Sequence, residues 1–365
     1  MKTNKWLSLA FLLLIFFSSC STDETDPTPY IPQGDFDSGV LVLNEGNFGG
    51  INASVSYISF DFNRTQNGIF SGVNPSSILG NTAQSIGFNG NLAYIVVNGS
   101  SKVEIVNRFT FQKVGEITAG LFSPRYISFA NGRGYITDWG AGAGEGKVKV
   151  IDLASNSVML SIAVADFPNR IIEHNNKLYV AHNNIGTVGN SITIIDGVSN
   201  TVGGSIPTSG LPDVMKVEGD NLWVSCNGYG SWPVPENESA GSILKFNLNT
   251  NTLILSLPQS SNTQHITFMD VFGNNIFYVV GNNVFKMPLS STTLPSAPAF
   301  IAAADYIYGF AVNSNRVYIG DAKDFIVNGV VKVYSSGEIF DPNPTGTLLK
   351  SVEVGVAPNG FYFNQ

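Results

Sequence analysis

The chain has 365 residues, is rich in Gly, Phe and Tyr, and carries a formal charge of −8 with only 13% charged residues. That balance gives nucleic acid no electrostatic footprint, so DNA or RNA binding is not expected. No apolar run is long enough to span a bilayer as a mature helix, and one large β-rich domain is the simplest use of such a length.

In chain order, the first element is a targeting segment. Lys2 and Lys5 form a basic start, Trp6 to Phe17 is apolar apart from Ser8, and Ser18-Ser19-Cys20 follows. Small residues directly before a Cys resemble a bacterial lipobox, so residues 1–19 are expected to be a lipoprotein signal peptide and Cys20 the lipidated mature N-terminus. Cleavage removes Lys2 and Lys5, leaving 17 basic against 27 acidic residues, a net −10. The acidic run Ser21-Thr22-Asp23-Glu24-Thr25-Asp26 resembles the surface-export signal of Bacteroidetes-type lipoproteins. This implies an outer-membrane, cell-surface protein held by its lipid anchor. Residues 20–39, with Pro27, Pro29 and Pro32, read as the lipidated Cys and a flexible tether, and 40–365 as the folded domain. Cys226 is then the one Cys left in that domain; it cannot form an internal disulfide and reads as a small core residue.

From residue 40 onward a short phrase returns seven times, beginning at Val40, Tyr94, Tyr135, Tyr179, Trp223, Tyr278 and Tyr318. The starts are 54, 41, 44, 44, 55 and 40 residues apart. A period of about 40–45 residues built of strands is that of a propeller blade. A hairpin turn with Asn-Gly or Asp-Asn pairs precedes each phrase, as in 128–132 and 217–221. Alternating strands follow, as in 148–152 and 192–196, and then a fourth run, as in 157–162 and 252–257. No helix is expected after residue 40. The last run, 357–363, has no blade after it, and the first phrase has no strand before it. The two ends therefore complete one blade. The expected fold is all-β, a seven-bladed β-propeller with four antiparallel strands per blade (A to D from the axis outward), closed by the N- and C-termini. Tyr135-Ile136-Thr137-Asp138 and the strands after it resemble the YVTN or YncE-like, surface-layer-type propellers over residues 40–365.

Strand direction puts the B–C loops and the D-to-A connections on one face. The B–C loops 44–52, 138–146, 183–190, 227–241 and 321–329 are long for a compact repeat, and loops of this kind commonly carry binding. They hold Phe48, Trp139, Tyr229, Trp232 and Phe325. Polar residues recur where each A strand begins: Gln84, Arg125, Asn169, Arg170, Asp213, His265, Tyr308 and Asn359. The candidate ligand-binding set is Asn44, Glu45, Asn47, Phe48, Arg125, Asp138, Trp139, Asn169, Arg170, His182, Asn183, Asp213, Asn227, Tyr229, Trp232, His265, Tyr308, Asp321 and Phe325. Asn and Asp at the ends of the phrases also suit Asx caps of their own turns. Asn98 and Asn282 lead into short loops and read as structural. Tyr94, Tyr135, Tyr179, Trp223 and Tyr318 read as core.

No phosphate loop, nucleophile elbow or Cys-x-x-Cys pair is present, and no metal site, cofactor or catalytic residue is expected. The expectation is a binding protein and not an enzyme. Leu43-Asn44-Glu45-Gly46-Asn47, on a seven-bladed surface lipoprotein, resembles the BtuG-type corrinoid-capture lipoproteins. That resemblance implies cobalamin (vitamin B12) or cobinamide as ligand, and a TonB-dependent outer-membrane transporter as partner to a monomer. A glycan- or protein-binding adhesin or scaffold is the alternative reading, and a metal-dependent lactonase-like enzyme the third.

Overall fold

The structure is a computed structural model that describes residues 32–184, 189–338 and 341–365. Its strands form seven four-stranded antiparallel sheets. The innermost strands are Pro358–Asn364, Ala83–Asn89, Pro124–Ala130, Pro168–His174, Pro212–Glu218, Phe268–Phe272 and Ile307–Asn313 for blades 1 to 7, and they ring the axis. This is the seven-bladed propeller expected from the repeat. Closure is as expected too: the C-terminal Pro358–Asn364 pairs with Gly39–Asn44 in blade 1. The expected signal segment and Cys20 lie outside the described residues.

The repeat phrase is strand B of every blade. Its aromatic head faces a neighbouring blade, and Tyr94, Tyr135, Tyr179, Trp223, Tyr278 and Tyr318 are all buried. Tyr135 shows why an aromatic with a polar tip suits the position. Its ring fills the space between blades 3 and 4, and its hydroxyl donates to the carbonyl of Gly197 at 2.8 Å in the C–D turn of blade 4. The apolar middle of the phrase, such as Ile136, Val180 and Val224, is inaccessible to solvent. Each such side chain contributes about 1.5–3 kcal/mol by burial. Cys226 is buried as expected, and burial pushes its thiol up to about 11, away from thiolate chemistry.

Two expectations need correction. The compact unit begins at Gln33, so residues 33–39 belong to the domain and not to the tether. Phe36 is buried, its ring meeting Tyr57 and Phe111 edge-on, and its amide donates to the carbonyl of Phe109 at 2.8 Å. Asn364 donates to the carbonyls of Phe36 and Arg108 at 2.7 and 2.8 Å, so this segment clasps the closing strand. There is also an α-helix after residue 40, Ile69–Val73. Strand D of blade 1 is only Thr65–Gln66, and the helix buries Ile69 and Phe70 where more strand would otherwise pack. Five residues are too few to show a 3.6-residue period in sequence.

Candidate ligand-binding face

The floor of the long-loop face is built by a β-bulge repeated at the start of strand A. The A–B register slips at Ala83/Ser85, Pro124/Ile127, Pro168/Ile171, Pro212/Met215 and Ile307/Gly309, and at Leu43/Asn44 opposite Pro358 and Gly360. The residues left out of the ladder are Gln84, Arg125 with Tyr126, Asn169 with Arg170, Asp213 with Val214, Tyr308 and Asn359. A bulge bends the strand and re-aims its side chains, which is how neighbouring polar residues come to face the axis. Blade 6 pairs without a slip, Phe268 opposite Val279 onward. The expected floor residue there, His265, lies upstream of the strand and bonds the Asn227 carbonyl at 3.2 Å and Glu238 at 3.3 Å.

Bulges free backbone groups that must be satisfied. The polar third residue of the phrase does this. Thr137 accepts from the Tyr126 amide at 3.0 Å and donates to the Asn169 carbonyl at 2.7 Å in the next blade. Ser225 accepts from the Val214 amide at 3.1 Å. Ser85 donates to the Arg125 carbonyl at 2.8 Å, and Asn359 to that of Ala83 at 2.8 Å. Side chains of one blade thus fix the bulge of another.

On the side of blades 3 to 5 the floor is cationic. Arg125 Nε donates to Asn169 Oδ1 at 3.1 Å, and its guanidinium lies 4.3 Å from the Trp139 ring. Trp139 is braced edge-on against Phe167 at 5.5 Å. Its aromatic face is therefore a platform for Arg125. Arg170 pairs with Asp213 at 2.9 Å and lies 4.8 Å from the Tyr126 ring. Burial disfavours the Arg170 charge, but Tyr126 and Asp213 outweigh it and its pKa is raised.

On the side of blades 7 and 1 the floor is aromatic and acidic. The Tyr308 hydroxyl donates to Glu45 at 2.6 Å, and Asn359 Nδ2 donates to the same carboxylate oxygen at 3.3 Å. Burial raises the Glu45 pKa above the ordinary carboxylate value, against the lowering by Tyr308, Arg125 and Asn359. Phe325 meets Tyr308 and Tyr306 edge-on at 4.9 and 5.1 Å. Asn47 Nδ2 donates to the Phe325 carbonyl at 2.7 Å, which ties the loops of blades 1 and 7 together. Trp139 Nε1 and Asn359 Oδ1 are buried without a hydrogen-bond partner. Each such atom costs about 1–3 kcal/mol unless water or a ligand satisfies it, and atoms of the same kind occur on the turn face at Arg133 and Asn251.

Other expected site residues are structural. Asn44, Asp138, His182 and Asp321 have essentially no accessible surface. Asn44 donates to Ser54 and Ser56. Asp138 accepts from the amides of Phe122, Ser123 and Gly140, and Asp321 from those of Asp305, Tyr306 and Lys323. His182 bonds Thr193 at 2.8 Å and the Asp166 carbonyl at 3.0 Å, and burial lowers its pKa, so it sits neutral inside blade 4. Asn183 donates to Asn227 and to the Leu211 carbonyl, both at 3.4 Å. The Tyr229 hydroxyl donates to the Gly189 carbonyl at 3.2 Å. These bonds join the loops of blades 4 and 5. Phe48 and Trp232, by contrast, stand free in solvent.

Below the floor a cavity of about 430 Å³ follows the axis, lined by Gln84, Tyr126, Arg170, Lys216, Asp270 and Tyr362 among apolar side chains. Lys216 pairs with Asp270 at 2.7 Å. Tyr126, Lys216, Asp270 and Tyr362 were not candidates from sequence. Tyr126 sits beside Arg125, and knowledge of the bulge would have named it; the others alternate with core residues and carry no signal of their own. Among the described residues no group of His, Cys, Asp and Glu is arranged to hold a metal ion.

The fold is similar to solved propellers of diverse kinds. A quinonprotein alcohol dehydrogenase-like protein of Bacteroides thetaiotaomicron superposes with a TM-score of 0.68 at 15% identity, over 91% of this chain and 80% of that one. The Pan2 WD40 domain of Neurospora crassa gives 0.60 at 12% identity, over 85% and 88%. Hydrazine synthase of Kuenenia stuttgartiensis gives 0.57 at 16% identity, over 78% and 92%. Likeness at such identity speaks for the fold alone. No curated protein matches the sequence. The model of one sequence family, described as a domain of unknown function (DUF5074), matches residues 38–341, most of the propeller, and the chain belongs to that family.

Proposed function

We propose that the protein is a non-enzymatic, lipid-anchored capture protein of the outer-membrane surface. Its long-loop face receives a large polar ligand, foremost a corrinoid (cobalamin or cobinamide), for delivery to a TonB-dependent transporter. The observation that carries the reading is the two-sided floor: an Arg125–Asn169–Trp139 group faces a Glu45–Tyr308–Phe325 group around one axis. A broad, flat ligand with many amides suits such a floor. Aromatic faces pack its rings, while carboxylate, amide and guanidinium groups fix its orientation. The lipobox-like Cys20 and the acidic run after it support the surface location.

Titration of the purified protein with cobinamide and with cobalamin tests this directly. Saturable binding at micromolar concentration is expected; silence with both removes the corrinoid. A second reading, a glycan- or protein-binding adhesin, draws on the exposed Phe48, Trp232 and Ile326 around the floor. Exposed apolar residues of this size commonly mark contact with a macromolecule. A positive glycan array beside silent corrinoid titrations would select it.

A further inference from the structure

We propose that Arg125 is the seat for an anionic group, a carboxylate or a phosphate, carried by the molecule that occupies the long-loop face. The inference rests on reading that face as the binding site, but not on the ligand being a corrinoid.

Pairing is the first reason. The cations that line the axial cavity have carboxylate partners: Arg170 with Asp213 at 2.9 Å and Lys216 with Asp270 at 2.7 Å. Among the described residues Arg125 has none. Its hydrogen-bond partner is the neutral amide of Asn169. Glu45 is close enough to be felt electrostatically, but its hydrogen bonds go to Tyr308 and Asn359. A half-buried cation without a paired charge is partly desolvated with nothing to offset it, and burial accordingly works against the Arg125 charge. An anionic ligand supplies the missing partner.

Preorganisation is the second. Asn169 holds Nε and Trp139 holds the guanidinium plane, so two directions of the side chain are fixed before any ligand arrives. The terminal nitrogens have no hydrogen-bond partner among the described residues. A planar fork held this way suits two parallel bonds to one carboxylate or phosphate. The bulge at Pro124/Ile127, held by Thr137 and Ser85, keeps the fork at the floor. With Tyr306, Tyr308 and Phe325 across the axis, the expected ligand joins an anionic group to an aromatic or conjugated body.

Arginine side-chain ¹⁵N NMR of the folded protein tests the assignment, with phenyl phosphate, benzoate and neutral benzyl alcohol as probes. One or both anions should shift the Arg125 Nε–H signal saturably at millimolar concentration, and the alcohol should not. The tighter anion names the group. Arg125→Gln should weaken anion binding by at least about tenfold, with Lys177→Gln on the opposite face as an unaffected control. Should the Gln variant not fold, Arg125→Lys keeps the charge and loses the fork, and about tenfold weaker binding is expected there too. Absence of any shift at tens of millimolar anion, or undiminished binding by a folded Arg125 variant, overturns the proposal. Anion binding with silent corrinoid titrations would leave this inference standing and remove the corrinoid. Corrinoid binding without anion binding would do the reverse.

Discussion

The two faces of the propeller solve the same capping problem in opposite ways. On the turn face, one solution is repeated. Asn107 accepts from the amides two and three residues on, at 2.9 and 3.0 Å. Asp152, Asp196 and Asn247 do the same in three further blades, at 2.8 to 3.0 Å. On the long-loop face the corresponding residues use several solutions: Asp138 and Asp321 both hold a D-to-A connection, Asn44 two serines and Asn183 a neighbouring loop. A face under structural constraint alone converges on one turn. The long-loop face also carries the strand-A bulges and the exposed aromatics Phe48, Phe122 and Trp232, the features of a binding surface.

The two faces should differ most in stability at the joints between phrase and bulge. Thr137→Val keeps shape but strands the Tyr126 amide and the Asn169 carbonyl, so a loss of about 2–4 kcal/mol is expected in denaturant unfolding. Asn247→Ala removes one of the repeated turn caps, and the expected loss is smaller, about 1 kcal/mol. If the two losses were equal, the bulge would be no more demanding than a turn.

Glu45→Gln should have the opposite sign. Burial raises the Glu45 pKa, so the folded state holds that proton more tightly than the unfolded state does. The resulting stability is present at pH below the ordinary carboxylate value and is lost as pH rises through the raised one. Gln imitates the protonated form and still accepts from Tyr308. The variant should therefore melt higher than wild type at pH 7 and level with it at pH 4. Smallest of all is Phe48→Ala, within about 0.5 kcal/mol of wild type, because the ring buries nothing. Any effect of that change should appear in partner binding.

The repeat made the architecture legible. An aromatic head with an apolar middle every 40 to 55 residues is enough to count blades, and an unmatched strand at each end is enough to close the ring. Most of the floor was legible as well, because polar residues at the start of strand A break the apolar pattern. The bulge that aims them was not, since a two-for-one pairing leaves no mark in one strand's sequence. Nor could sequence separate Asp138 and Asp321, which cap the backbone, from Glu45, which faces the axis; all are acids at the end of the same phrase. His182 misled for a similar reason, its partner Thr193 lying on the adjacent strand. Gln33–Ser38 read as tether because a segment clasped by Asn364 owes its order to residues more than 300 positions away.

Ligand is expected on the long-loop face and not on the turn face. Hydrogen exchange with and without cobinamide tests it most directly. Slower exchange is predicted across 122–126, 138–140, 167–170 and 305–308, with the C–D turns at 107–112 and 196–201 unchanged. Protection confined to those turns, with the floor peptides unmoved by a bound ligand, would contradict it.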